Sequence, residues 1–162
     1  MKSTRLLLSI AALSAGLIVS GETRAEDWKP VGLFGAFGVG KTYELEKGHF
    51  YWVGEYSGTF FSDKGEKGLL DRAGVKCPSW ADNDLNNKKS KAGGICIMTD
   101  LAGDTAYATY QGTGTSARTN GTWEWTGGTG KYKEIKGSNT YDGTPTVNWA
   151  DGTASGFATW NR

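Results

Sequence analysis

His49-Phe50-Tyr51-Trp52-Val53-Gly54-Glu55-Tyr56-Ser57-Gly58-Thr59-Phe60-Phe61-Ser62 has the alternation of a long β-strand. With side chains projecting to opposite faces in turn, Phe50, Trp52, Tyr56 and Phe60 share one face, and Tyr51, Val53, Glu55, Ser57 and Thr59 share the other. Gly54 and Gly58 fall within the aromatic row. A glycine inside a strand marks a bend or a close approach, and long strands in small barrels need such bends to close. Alternation assigns residues to a common face but does not say which face is inside.

Similar patterns recur along the chain. Strands are expected at 31–39, 95–101, 105–111, 121–126, 137–141, 146–150 and 153–160, making eight with His49–Ser62. Short turns such as Ala102-Gly103 and Asp151-Gly152 separate several of them, which predicts an antiparallel meander. A single all-β domain at 26–162, closed as an eight-stranded barrel, removes the exposed edges and leaves a lumen for side chains or one small ligand. The polar stretch 63–93 has few strand signals and is expected to be a long loop.

At 162 residues, with 25 Gly, 3 Pro, 7 Trp, 7 Tyr and 6 Phe, the chain is turn-rich and aromatic rather than collagenous or coiled-coil. Its 18 basic and 17 acidic residues leave no cationic surplus for phosphates, so nucleic acid is not an expected partner. Lys2 and Arg5 precede an apolar run from Leu6 to Val19, and Thr23-Arg24-Ala25 offers a cleavage site. Residues 1–25 are therefore expected to be a signal peptide. The run is shorter than the roughly 20 residues of a spanning helix, so no stable membrane span is expected. In the oxidising periplasm or extracellular space to which such a leader directs a chain, Cys77 and Cys96 are expected to pair.

Gly35-Ala36-Phe37-Gly38-Val39-Gly40-Lys41-Thr42 satisfies the phosphate-loop pattern. That chemistry requires a helix to begin at the lysine, and Gly48 ends any helix soon after it. A Gly-rich first strand is the better account, with no nucleotide and no cofactor. Asp82, Asp84 and Asn86 alternate as calcium-loop ligands do, but Asn87 and Gly93 stand where that loop needs Gly and Glu. No metal is expected. His49 is the single histidine, so neither a Ser-His-Asp set nor a multi-histidine site can be assembled within one chain. Glu55 and Glu124 remain as candidate acid-base residues if they face the lumen. Facing outward, they are ordinary solvated strand residues.

Gly127-Gly128-Thr129-Gly130-Lys131-Tyr132-Lys133-Glu134-Ile135-Lys136-Gly137, continuing to Tyr141, resembles a segment of allene oxide cyclase-like and dirigent-like barrels. The resemblance implies a glycine turn into the next strand, with Tyr132 and Ile135 plugging one barrel end. It also implies an apolar cavity for a lipid-like or phenolic ligand and an often trimeric assembly. A lipocalin-like barrel is the nearest alternative fold, but Trp28-Lys29-Pro30-Val31-Gly32 lacks its usual Gly-x-Trp order.

Three functions fit these features. The leading one is binding of a small hydrophobic molecule, with Phe50, Trp52, Tyr56 and Phe60 as ligand-binding residues. The others are an isomerase or cyclase acting through a lumen carboxylate or tyrosine, and a structural module with an aromatic outer face. Protein recovered from its native compartment should begin near Glu26. Intact mass spectrometry checks this, and a mass retaining residues 1–25 would refute cleavage there.

Overall fold

The computed structural model describes residues 28–161, so the expected leader lies outside the described residues. Eight antiparallel strands form a closed barrel in chain order. They are β1 (Gly32–Glu46), β2 (His49–Ser62), β3 (Ala73–Asp84), β4 (Lys89–Thr99), β5 (Thr105–Thr115), β6 (Arg118–Gly128), β7 (Ser138–Asn148) and β8 (Thr153–Trp160). Each strand pairs with the next, and β1 closes on β8 from Gly32↔Trp160 to Val39↔Thr153. Along Gly32 to Val39 closure leaves no edge of β1 open for pairing with another chain.

The count of eight matches the sequence expectation, but its composition differs. The expected loop at 63–93 contains β3 and the first part of β4. The pieces expected at 137–141 and 146–150 both overlap the single strand β7, which ends at Asn148 and carries an irregularity between Pro145 and Val147. In β3, Ala73, Val75, Cys77 and Ser79 are buried in strict alternation with exposed Gly74, Lys76, Pro78 and Trp80. The period-two signal is therefore present, carried inward by small residues rather than rings.

The lumen is polarised along its axis. At the end carrying the loops after β2, β4 and β6, Phe34, Phe60, Met98, Trp123, Trp125 and Trp160 belong to one buried cluster. Trp123 stacks on Trp160 at 5.0 Å, and Phe60 meets Trp160 at 5.5 Å. Leu70 from the β2–β3 loop and Tyr132 and Ile135 from the β6–β7 segment join this cluster and plug the end. Trp28 packs edge-on to Tyr132, and its carbonyl accepts a 2.8 Å hydrogen bond from Trp125 Nε1. At the opposite end, β1 is exposed from Lys41 to Glu46 and pairs there only with β2.

Gly54 and Gly58 are close approaches rather than gaps among the rings. A Cβ at Gly54 would stand 2.3 Å from the Val39 carbonyl oxygen and 2.5 Å from the Trp52 ring. One at Gly58 would stand 1.9 Å from the Gly35 carbonyl oxygen, so a side chain there would disturb the β1–β2 pairing rather than fill a pocket.

Cys77 and Cys96 form a disulfide across β3 and β4, with Cα atoms 4.1 Å apart. It joins two strands where the paired register skips Cys77-Pro78 and Ile95-Cys96, and Pro78 has no N–H to contribute. The bridge spans 19 positions and should stabilise the barrel by about 3 kcal/mol through the unfolded chain. Denaturant titration of the C77A/C96A double variant should show a loss of about this size. An unchanged midpoint and slope would exclude that contribution.

Candidate functional site

The half of the lumen beyond the Trp123–Trp160 floor contains a cavity of about 140 Å³. Tyr56, Tyr110 and Tyr141 line it with Ala36, Ala92 and Ala154, and both disulfide cysteines form part of its wall. The β7–β8 edge supplies Pro145 and Asn148 beyond Thr119↔Gly143, the outermost β6–β7 pair. No Asp, Glu, Lys, Arg or His lines this cavity.

The three tyrosines have different surroundings. Tyr110 donates to Ser79 Oγ at 2.6 Å, and Ser79 donates in turn to the Cys77 carbonyl at 2.6 Å. Burial pushes the Tyr110 phenol up to about 12, although its bond to Ser79 acts in the other direction. Tyr141 packs edge-on to Tyr110 at 5.6 Å, and its hydroxyl is buried without a partner among the described residues. Burial, followed by the neighbouring Tyr110 and Tyr56, raises the Tyr141 pKa. Burial also raises that of Tyr56. All three phenols are therefore neutral near pH 7.

The aromatic row of β2 is distributed along the barrel axis. Tyr56 lines the cavity, while Phe60 is sealed into the packed floor. Trp52 is buried beside Tyr56 at a ring separation of 4.9 Å, and its Nε1 donates to the Gly152 carbonyl at 3.0 Å. That bond ties β2 to the β7–β8 turn. Phe50 is half-buried near the β1–β2 turn and does not line the cavity. Tyr110, Trp123, Tyr141 and Trp160 come from four other strands. Their strand parity was legible, but their convergence required closure of the sheet.

The candidate carboxylates do not line the cavity. Glu55 accepts from Ser57 Oγ at 2.8 Å and faces Lys76 at 3.4 Å. The Ser57 hydroxyl, followed by Lys76, holds its pKa below the ordinary value. Glu124 is exposed between the buried Trp123 and Trp125. Lys41 of the phosphate-loop pattern lies within β1, its ammonium 5.1 Å from the Tyr43 ring centre. Asp84 accepts from the Asn87 backbone N–H and side chain, and Asn86 donates to the Lys47 carbonyl. Among the described residues, no group of three or more His, Cys, Asp or Glu is placed to hold a metal ion.

No protein-family model matches the chain, and a search of curated proteins finds no match.

His49 Nε2 lies 2.6 Å from Asp82 Oδ1, linking β2 to β3 away from the cavity. The hydrogen bond to Asp82 raises the His49 pKa above 6.5, with Asp82, Asp84 and Glu46 adding to the effect and burial opposing it. Because the folded value is raised, this contribution to stability is full below the unfolded pKa. It fades as pH rises through the folded value. Melting temperatures across this interval should therefore show a decline that H49Q lacks. Parallel wild-type and variant curves would exclude it.

Proposed function

We propose that this protein is an exported β-barrel that holds a small apolar or aromatic molecule in its lumen. The observation carrying this reading is the 140 Å³ cavity, bounded by rings and small side chains and lined by no charged residue. Such a lining favours apolar burial and disfavours an unpaired ion. The Cys77–Cys96 bridge fits an oxidising compartment, which supports export through the leader at 1–25. The resemblance of 127–141 to allene oxide cyclase-like and dirigent-like barrels supports the same reading, since ligands of that superfamily occupy the barrel.

The cyclase alternative loses its carboxylates to the outer surface. It would have to rely on a tyrosine, and the raised pKa values make these phenols weaker acids and leave almost no phenolate to serve as a base near pH 7. A second reading, as an interaction module, draws on exposed Phe37, Val39, Trp149 and Phe157. Phe37 and Trp149 lie 6.2 Å apart, and an apolar outer group of this kind fits a subunit contact, including the homotrimer of the resemblance.

Toluene titrated into the protein should give a saturable calorimetric signal and a change in tryptophan fluorescence. A154L places a larger side chain in the cavity wall and should weaken binding at least tenfold while the far-ultraviolet spectrum is retained. Absence of toluene binding by the folded wild type would refute the ligand reading. A concentration-dependent sedimentation mass lowered by F37S would then favour the interaction module.

A further inference from the structure

The cavity narrows the ligand class beyond apolar or aromatic, an inference that rests on the lumen-binding reading above. We propose that its ligand is an uncharged, single-ring molecule carrying one hydrogen-bond acceptor, and that the Tyr56 hydroxyl anchors this acceptor.

Size gives the first restriction. A cavity of about 140 Å³ is close to the roughly 150 Å³ apolar cavity that accommodates benzene in an engineered core. One ring with a small substituent fits this scale. Trp123 and Trp160 provide a flat floor, and the tyrosines provide ring surfaces around it.

Charge gives the second restriction. A carboxylate would enter the cavity without a lysine, arginine or histidine in its lining, while an ammonium would find no carboxylate there. Aromatic faces attract cations, but a largely desolvated cation without a counter-charge bears a heavy burial penalty. The raised phenol pKa values also keep Tyr56, Tyr110 and Tyr141 from becoming anionic near neutrality.

The hydroxyl connections single out the anchor. Tyr110 already uses its proton on Ser79, and Ser79 uses its own on the Cys77 carbonyl. The Tyr141 hydroxyl is buried, with the Cβ direction of Gly112 only 2.5 Å from its oxygen, so β5, reached across the intervening β6, shields it. Tyr56 also lines the cavity, but its hydroxyl is neither committed to a protein acceptor among the described residues nor fully buried. It can donate to a carbonyl, ether or hydroxyl oxygen on a bound ring. An apolar molecule of the same size offers no such acceptor.

Affinities for toluene, benzaldehyde, benzoate and tetramethylammonium should be measured at pH 7 on wild type, Y56F and Y110F. Wild type should bind benzaldehyde about fivefold more tightly than toluene, the ratio expected from a net hydrogen bond of about 1 kcal/mol. Y56F should erase this preference while retaining toluene affinity, and Y110F should retain the preference. Benzoate and tetramethylammonium should bind at least tenfold more weakly than benzaldehyde. Equal affinity of wild type for toluene and benzaldehyde, or a preference lost in Y110F but kept in Y56F, would overturn the anchor and leave apolar binding intact. Tightest binding of either ion would overturn the neutral-ligand class. Failure of every compound to bind folded wild type would instead overturn the lumen-binding reading itself.

Discussion

The interior of an eight-stranded barrel is narrow, so a large ring can lie against its wall only where neighbouring strands supply little side chain. Trp52 meets this constraint at Gly40 and Gly54, where added Cβ atoms would come within 2.4 Å and 2.5 Å of its ring. Tyr56 lies against Gly38, while Tyr141 lies against Gly121 and Gly112. These rings therefore occupy the wall and leave space between them. Farther along the axis, Phe60, Trp123 and Trp160 meet one another, and Leu70, Tyr132 and Ile135 join them from the loops. The same type of side chain consequently builds a cavity in one half of the barrel and a solid floor in the other.

This division separates chemistry from charge. Glu55, Lys76 and Glu124 occupy solvent-facing positions, and the His49–Asp82 pair links strands away from the cavity. Another charged group, Asp100, sits at the plugged end, where burial would raise its pKa. Hydrogen bonds from Lys131, Tyr132 and the backbone N–H groups of Ala102 and Asp104 together more than offset that effect. The cavity combines neutral hydroxyls with apolar walls, a lining that could hold a ligand. The disulfide contributes to both stability and shape because its covalent link between β3 and β4 is also part of the cavity wall.

Strands bearing rings were easier to read than strands bearing small residues. Alternation predicts His49–Ser62 and Thr153–Trp160 with the bounds of β2 and β8. β3 carries a weak strand signal because Ala73, Val75, Cys77 and Ser79 form its inward face, while Pro78 and the Asp82-Asn83-Asp84 run give turn-like signals. That small inward face has a tertiary use: Tyr110 reaches across from β5 to Ser79. β7 was divided because its Gly143, Pro145 and adjacent irregularity interrupt a simple alternation. The missed strand and the divided strand offset each other in the expected count.

Composition and alternation by themselves determined an all-β chain, the common face of Phe50, Trp52, Tyr56 and Phe60, and the turns around Gly103 and Gly152. These are local properties, set by side-chain periodicity and by residues that tolerate positive φ, as both glycines do here. Which face turned inward depended on closure between β1 and β8. The axial position of each ring then decided its surroundings: Phe60 entered the floor, Tyr56 the cavity wall, and Trp52 a bond to the distant β7–β8 turn. Sequence parity distinguishes the two faces of a strand, but only the register of all eight strands brings Tyr56, Tyr110 and Tyr141 around one shared space.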